Sequence, residues 1–245
     1  MNLSSSPTAV SAEATGSPPS WLLLGAEPMR AAYELASAQF MKKADLPAGD
    51  GHPVMLFPGL ATDARMLSPL KNLCSDLGYG ALDWGRGFNT GPEGDIERWL
   101  DRLADDVAQH ADEHDERISL VGWSLGGIYA REVAKKLGPQ RVRRVITIGT
   151  PFSGSAKQTR AGWVYRLLNG TEPVLGPTWA RRLALPPPVP TTSIYSRSDG
   201  VVSWQACIQR GRHPHVENVE ISGSHCGMGW NTEVFAIVAD RLARR

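Results

Sequence analysis

Ile118-Ser119-Leu120-Val121-Gly122-Trp123-Ser124-Leu125-Gly126-Gly127-Ile128-Tyr129-Ala130 is the stretch that decides the fold. Its first four residues form a short apolar run of the kind a buried strand needs, and Gly127 onward opens a helical pattern. Between them lies Gly-Trp-Ser-Leu-Gly, so the chain must turn sharply from strand to helix with Ser124 at the apex. A residue at such an apex takes a strained backbone conformation. Glycines two positions before and after it leave room for strand and helix to approach each other.

Working outward, the same strand-then-helix unit recurs. Upstream, Pro53 to Phe57 reads as a buried strand ending in Pro58-Gly59, and Asp63 to Leu77 as a helix with Asp63 as N-cap and Gly78 as its stop. Tyr79 to Trp84 is the next strand candidate. A glycine-rich loop, Gly85 to Gly94, leads into an amphipathic segment from Ile96 to His110 whose Trp99, Leu100, Leu103 and Val107 share one face. Further upstream, Pro28 to Phe40 has helical spacing. Downstream of the serine the helix runs to Leu137 and stops at Gly138-Pro139. Val142 to Gly149, Thr191 to Ser196 and Val216 to Ile221 read as strands, Ser203 to Arg210 and Asn231 to Leu242 as helices. Six strands alternating with helices imply an α/β fold, a mostly parallel sheet covered on both faces.

Composition narrows the function classes. At 245 residues the chain suits one α/β domain, and 42% hydrophobic with 21% charged residues is ordinary for a globular protein. Lys plus Arg at 26 against Asp plus Glu at 25 gives a formal charge of +1, with no basic block to track a phosphate backbone, so no nucleic-acid partner is expected. No apolar run approaches the roughly 20 residues that span a bilayer. Residues 1–20 are rich in Ser, Pro, Thr and Ala and lack the basic and apolar regions of a secretory signal, so a disordered tail is expected, with a cytoplasmic setting the expectation and secretion with a removed signal the open alternative. The domain itself is expected over 21–245. Three cysteines are too few for a disulfide scaffold; Cys207 and Cys226 either pair or are small buried thiols.

The strand, serine turn and helix resemble the nucleophile elbow of the α/β-hydrolase superfamily, and the resemblance covers most of residues 53 to 242. In that superfamily a serine is followed in chain order by an acid and a histidine. The residues that match are Asp199, in Ser198-Asp199-Gly200-Val201-Val202 beyond a strand, and His225, in Ser222-Gly223-Ser224-His225-Cys226-Gly227 between the last strand and last helix. The chemistry asks for this set, because a serine hydroxyl needs a base to take its proton and an acid to orient that base. His213 and His215 fall at the opposite end of the last strand, and His52, His110 and His114 read as solvent-facing. His-Pro-His has no further ligands at zinc-like spacing, so no metal is expected, nor any organic cofactor.

An acyl-transfer reaction also needs backbone N–H donors for a developing oxyanion. Leu125, directly after the serine at a helix N-terminus, offers one. The loop Phe57-Pro58-Gly59-Leu60 offers the other from Leu60, resembling the Pro-Gly oxyanion loops of esterases and lipases, with Phe57 where a histidine often stands. Full-length members commonly carry two more N-terminal strands, so the resemblance implies a shortened version. Gly122 to Arg131 and Thr147-Ile148-Gly149-Thr150-Pro151-Phe152-Ser153-Gly154 resemble lipases and esterases more than the epoxide and haloalkane hydrolases, whose nucleophile is usually Asp. The resemblance therefore implies a carboxylic-ester hydrolase acting on a small-molecule or lipid-like acyl ester. A thioesterase, an acyltransferase and a non-catalytic binding protein of the same fold stay open, and oligomeric state is unread.

Between 151 and 190 the chain leaves the sheet, where many relatives insert a lid. Leu60, Trp123, Trp163 and Trp179 are the candidate substrate-contacting residues; the lid's apolar side chains either face substrate or pack the lid down. Its basic residues Lys157, Arg160, Arg166, Arg181 and Arg182 outnumber the single acid Glu172. They either form a solvated face or attract an anion.

Overall fold

The strands are built from apolar alternation that serves two faces at once. In β1 (Pro53–Phe57), Val54 and Leu56 enter one core cluster while Met55 and Phe57 enter the other. In β3 (Ile118–Trp123), Val121 and Trp123 face the first cluster and Ile118 and Leu120 the second. A strand buried on both faces reads as a continuous apolar run, and that is the signature of a parallel sheet sandwiched by helices. The computed structural model describes residues 17–41, 43–153 and 177–244.

With β2 (Gly80–Asp83), β4 (Val142–Ile148), β5 (Thr191–Tyr195) and β6 (Val216–Glu220), these form one six-stranded sheet in the order β2-β1-β3-β4-β5-β6. Every pairing is parallel. The chain winds outward from β1 to β2, then returns to β3 on the other side. The crevice between the C-terminal ends of β1 and β3 is therefore a switch point, where open α/β sheets place their sites.

Helices α3 (Ile96–His114) and α4 (Leu125–Arg141) cover one face, α2 (Ser68–Asp76) and α6 (Thr232–Ala243) the other. Asp95 caps α3 by accepting the Arg98 N–H at 2.9 Å, and Trp99, Leu100, Leu103, Ala104, Val107 and Ala111 line its buried face. Each large apolar side chain so buried contributes about 1.5–3 kcal/mol. The helix runs one turn past His110 and ends on Asp115 in the left-handed region. Asp63 caps a short 3₁₀ turn, Ala64–Leu67, that leads into α2, and Asn231 caps α6. At the end of α4, Gly138 departs from helical geometry, so the regular helix stops where Gly138-Pro139 was expected to stop it.

The structure departs from the sequence reading at four places. Helix α1 spans Trp21–Ala38 and begins seven residues before Pro28, because Ser20 caps it by accepting from Leu23 N–H, and Pro28 is carried inside. Of the expected tail, residues 1–16 lie outside the described residues. Ser203 to Arg210 forms only a 3₁₀ turn at Trp204–Ala206. Beyond it the backbone is held by tertiary bonds, with Gln209 N–H donating to Asn218 Oδ1 and Gln209 O accepting from Asn218 Nδ2. His52 is buried, not solvent-facing. The bridge considered between Cys207 and Cys226 is not formed, since Cys74, Cys207 and Cys226 are all free thiols.

Candidate active site

The turn at Ser124 is strained as its sequence requires, with φ 53° and ψ −122°. The flanking glycines are there for space. A Cβ on Gly122 would overlap the backbone of Gly126 and Gly127, and one on Gly126 would overlap the Phe57 and Pro58 carbonyls. Ser124 N–H donates to Ile148 O at 2.8 Å, tying the elbow to β4. Strain of this kind persists only where the surroundings over-determine it.

Ser124, Asp199 and His225 come from the C-terminal ends of β3, β5 and β6 and meet. His225 Nε2 lies 3.1 Å from Ser124 Oγ, and His225 Nδ1 lies 2.7 Å from Asp199 Oδ2. A carboxylate only accepts, so Nδ1 carries the proton and Nε2 is left to accept from the serine hydroxyl. The second oxygen, Asp199 Oδ1, accepts from the N–H groups of Val201 at 2.8 Å and Val202 at 2.7 Å, which fixes the carboxylate's orientation. All three side chains are buried. Burial by itself pushes the His225 imidazole down, but the Asp199 charge and hydrogen bond, with a contribution from Glu27, more than offset it and leave it above 6.5.

Of the two backbone donors expected for an oxyanion, Leu125 directly follows the serine. Leu125 opens α4, so its N–H has no intrahelical acceptor and lies at the positive end of the helix. A Cβ on Gly59 would stand 3.2 Å from Ser124 Cβ, so the Pro58–Leu60 loop runs against the nucleophile. The Leu60 N–H has no backbone acceptor among the described residues.

Sequence reasoning missed what holds that loop. Asn89, buried, donates through Nδ2 to Pro58 O at 2.8 Å, accepts from Ala61 N–H at 2.8 Å and donates its own N–H to Thr62 O at 2.7 Å. An asparagine inside the glycine-rich segment 85–94 was the available signal, since an amide can both donate to and accept from a neighbouring loop. Glu27 and Arg30 on α1 were also missed. The i, i+7 carboxylates Glu27 and Glu34, with Ala31 between them on the same face, mark a helix side that meets polar backbone.

The remaining candidates are placed less directly. Trp123 is buried beneath the site; its indole N–H donates to His225 O at 3.1 Å, so it supports the base loop. Trp179 lies on α5 (Pro177–Ala184), packs against the α3–α4 cluster, and carries the Arg182 guanidinium over its ring. Trp163 lies outside the described residues, as do Lys157, Arg160, Arg166 and Glu172. Arg182 is paired with Glu97 and Glu132, which pins α5 to α3 and α4.

A second Ser-His-Asp set lies at the N-terminal ends of the interior strands β1 and β3. His52 Nε2 lies 2.8 Å from Ser119 Oγ, and its Nδ1 contacts Asp50. Ser119 has 0% and His52 1% exposure, so no substrate can reach them. Burial first, and the Arg143 charge, hold the His52 imidazole below its ordinary value against the pull of Asp50. His213 and His215 sit before β6, away from the serine, with His215 Nε2 against Pro187 O. Among the described residues no cluster of three or more His, Cys, Asp or Glu is placed to hold a metal ion, and no helix is long and apolar enough to cross a membrane.

Comparison with known proteins adds to this geometry. The model of a family described as "Alpha/beta hydrolase family" matches residues 54–230. No curated protein matches the chain by sequence. Aspergillus fumigatus lipase B is similar in structure with a TM-score of 0.62 at 20% identity, over 82% of this chain and 55% of that one. This chain thus spans about half the length of that lipase. Bacillus licheniformis lipase BlEst2 in mature form gives 0.62 at 18% identity, over 82% of this chain and 95% of the other. A monoacylglycerol lipase from Paleococcus ferrophilus gives 0.56 at 14% identity, over 81% and 96%. At these identities the likeness is one of fold.

Proposed function

The chain belongs to the alpha/beta hydrolase family, and from that premise we propose that it is a serine hydrolase of carboxylic esters whose catalytic residues are Ser124, His225 and Asp199. The observation that carries this is the buried relay Ser124–His225–Asp199 ending on a strained serine at the switch point of the sheet.

In this reading Ser124 Oγ attacks the acyl carbonyl while His225 Nε2 takes its proton, and Asp199 holds the imidazolium that forms. The carbonyl oxygen, now negative, is met by the N–H groups of Leu60 and Leu125. Collapse breaks the C–O bond to the alcohol, which leaves with the proton from His225, and the acyl group stays on Ser124. Water then attacks the acyl-enzyme, giving its proton to His225, and the acid is released as Ser124 recovers its proton. Every proton passes through His225, so the reaction requires no metal or organic group in this account.

The lipase names of the structural relatives agree with an acyl-ester substrate; the lid expected over 151–190 falls largely on 154–176, outside the described residues. The test is hydrolysis of p-nitrophenyl esters from acetate to palmitate by wild type and by Ser124→Ala. Serine-dependent release supports ester hydrolysis, and its chain-length profile separates an esterase from a lipase. Acyl transfer to added alcohol, amine or thiol in preference to water would move the assignment to an acyltransferase, and preferred cleavage of thioesters to a thioesterase.

A further inference from the structure

Helix α1 lies outside residues 54–230 of the family match, yet it is built into the active site. Glu27, at 2% exposure, accepts three backbone N–H bonds from the loops that carry the acid and the base. They come from Gly200 at 2.7 Å and His225 at 3.0 Å, both to Oε1, and from Cys226 at 2.9 Å to Oε2. One turn on, Arg30 donates to Ser198 O at 2.5 Å and Ser198 Oγ at 2.7 Å. Two turns on, Glu34 Oε1 accepts from Ser224 N–H at 2.7 Å.

The glycines beside the acid and the base are shaped for this helix. A Cβ on Gly200 would stand 2.6 Å from the Leu23 carbonyl, and one on Gly227 would overlap the Glu34 carboxylate. Sequence and packing therefore agree that α1 seats directly on the residues next to Asp199 and His225.

We propose that Glu27 is a positioning residue of the active site, a carboxylate on α1 that fixes the Asp199 and His225 loops against each other and sets a second negative charge beside the base. The proposal rests on the Ser124–His225–Asp199 reading. Around His225 stand Asp199 from the loop after β5, Ser124 from the elbow and Glu27 from α1, which holds the backbone N–H groups of both His225 and its neighbour Cys226. Arg30, 4.0 Å from Glu27, is committed to Ser198, and Glu34 to Ser224. The Glu27 charge adds to that of Asp199 in favouring the imidazolium that forms during acyl transfer.

The test compares wild type with Glu27→Gln and Glu27→Asp by kcat, KM, the pH dependence of kcat/KM and thermal unfolding on a p-nitrophenyl ester. Glu27→Gln keeps the shape, removes the charge and turns an amide N–H₂ toward a backbone N–H. It is expected to lower kcat about tenfold to a hundredfold, with little change in KM, as the loss of hydrogen bonds to a charged group implies. The acid limb should move to lower pH. Normal kcat with an unmoved limb, whatever the unfolding temperature, would overturn the proposal and leave Glu27 a structural residue. If Glu27→Gln does not fold, Glu27→Asp decides the matter. It keeps the charge but withdraws it from the loops, so kcat should fall with the limb unmoved, and wild-type kcat would overturn the proposal. Fluorophosphonate labelling of wild type separates the two claims. Absence of label on Ser124 overturns the triad reading and this proposal with it, whereas label on Ser124 beside an unimpaired Glu27→Gln enzyme overturns this proposal alone.

Discussion

The Tyr129 hydroxyl donates to Asn89 Oδ1 at 3.1 Å, so the helix that follows the nucleophile also holds the side chain that braces the loop proposed to supply the Leu60 donor. Asn89→Ala removes that acceptor and leaves Pro58 O without its donor. It should lower kcat about tenfold to a hundredfold, somewhat less than the loss of an oxyanion donor itself, while Tyr129→Phe should cost about 1 kcal/mol of stability. Steady-state kinetics with denaturant unfolding check both, and an Asn89→Ala enzyme with full kcat would contradict the role.

Gly126→Ala sets a methyl group against the Phe57 carbonyl at the centre of the fold. Overpacking of this kind costs about 1–3 kcal/mol, and here the obstacle is backbone, so the upper end is expected. A lower melting temperature with loss of activity in the folded fraction is the expected outcome, because relief must move either the elbow or the oxyanion loop.

The pH profile follows from the sign of the His225 shift. The imidazole must be neutral to accept the Ser124 proton, and its pKa is raised above 6.5, so kcat/KM should fall on acidification with an apparent pKa above that value. Stability moves the other way for this group. The raised pKa contributes stability that is fully present below about 6.5 and is lost as pH rises through the folded value. Asp199→Asn removes the charge and reverses the tautomer preference, and by analogy with other triads should lower kcat by about 10⁴. An acid limb unchanged in that variant would contradict the electrostatic account.

His52 gives the opposite linkage. Its folded pKa is depressed, so the contribution is present above about 6.5 and is lost as pH falls toward the folded value. Ser119→Ala should leave kcat at wild-type level and destabilise the protein by about 1 kcal/mol, measured by urea unfolding beside an ester assay. Lost activity in a well-folded Ser119→Ala protein would mean that the wrong serine had been assigned.

What was legible in the sequence was what local chemistry dictates. Runs such as Pro53–Phe57 and Ile118–Trp123 are buried on both faces and announce themselves by apolarity. Gly122 and Gly126 announce the elbow because no side chain fits beside the crossing backbone there. Asp199 and His225 could be named because each follows a strand in the order the resemblance implies. Contacts made across long sequence separations were illegible. Glu27 meets His225 across 198 residues, and nothing within α1 says which loop it will touch. His52 reads as exposed because its burial depends on Ser119 and Arg143 arriving from elsewhere. The sequence reading starts α1 at Pro28 because proline is a good first-turn residue, whereas the Ser20 cap starts the helix earlier and the contacts of Glu27 and Arg30 hold it on either side of Pro28.

The most direct test of the central claim is fluorophosphonate labelling of the wild-type protein and Ser124→Ala, with peptide mapping by mass spectrometry. The account predicts one adduct per wild-type chain, on the peptide bearing Ser124, and none in Ser124→Ala, whose kcat should fall by on the order of 10⁶. An adduct on another serine, or undiminished turnover in Ser124→Ala, would contradict it.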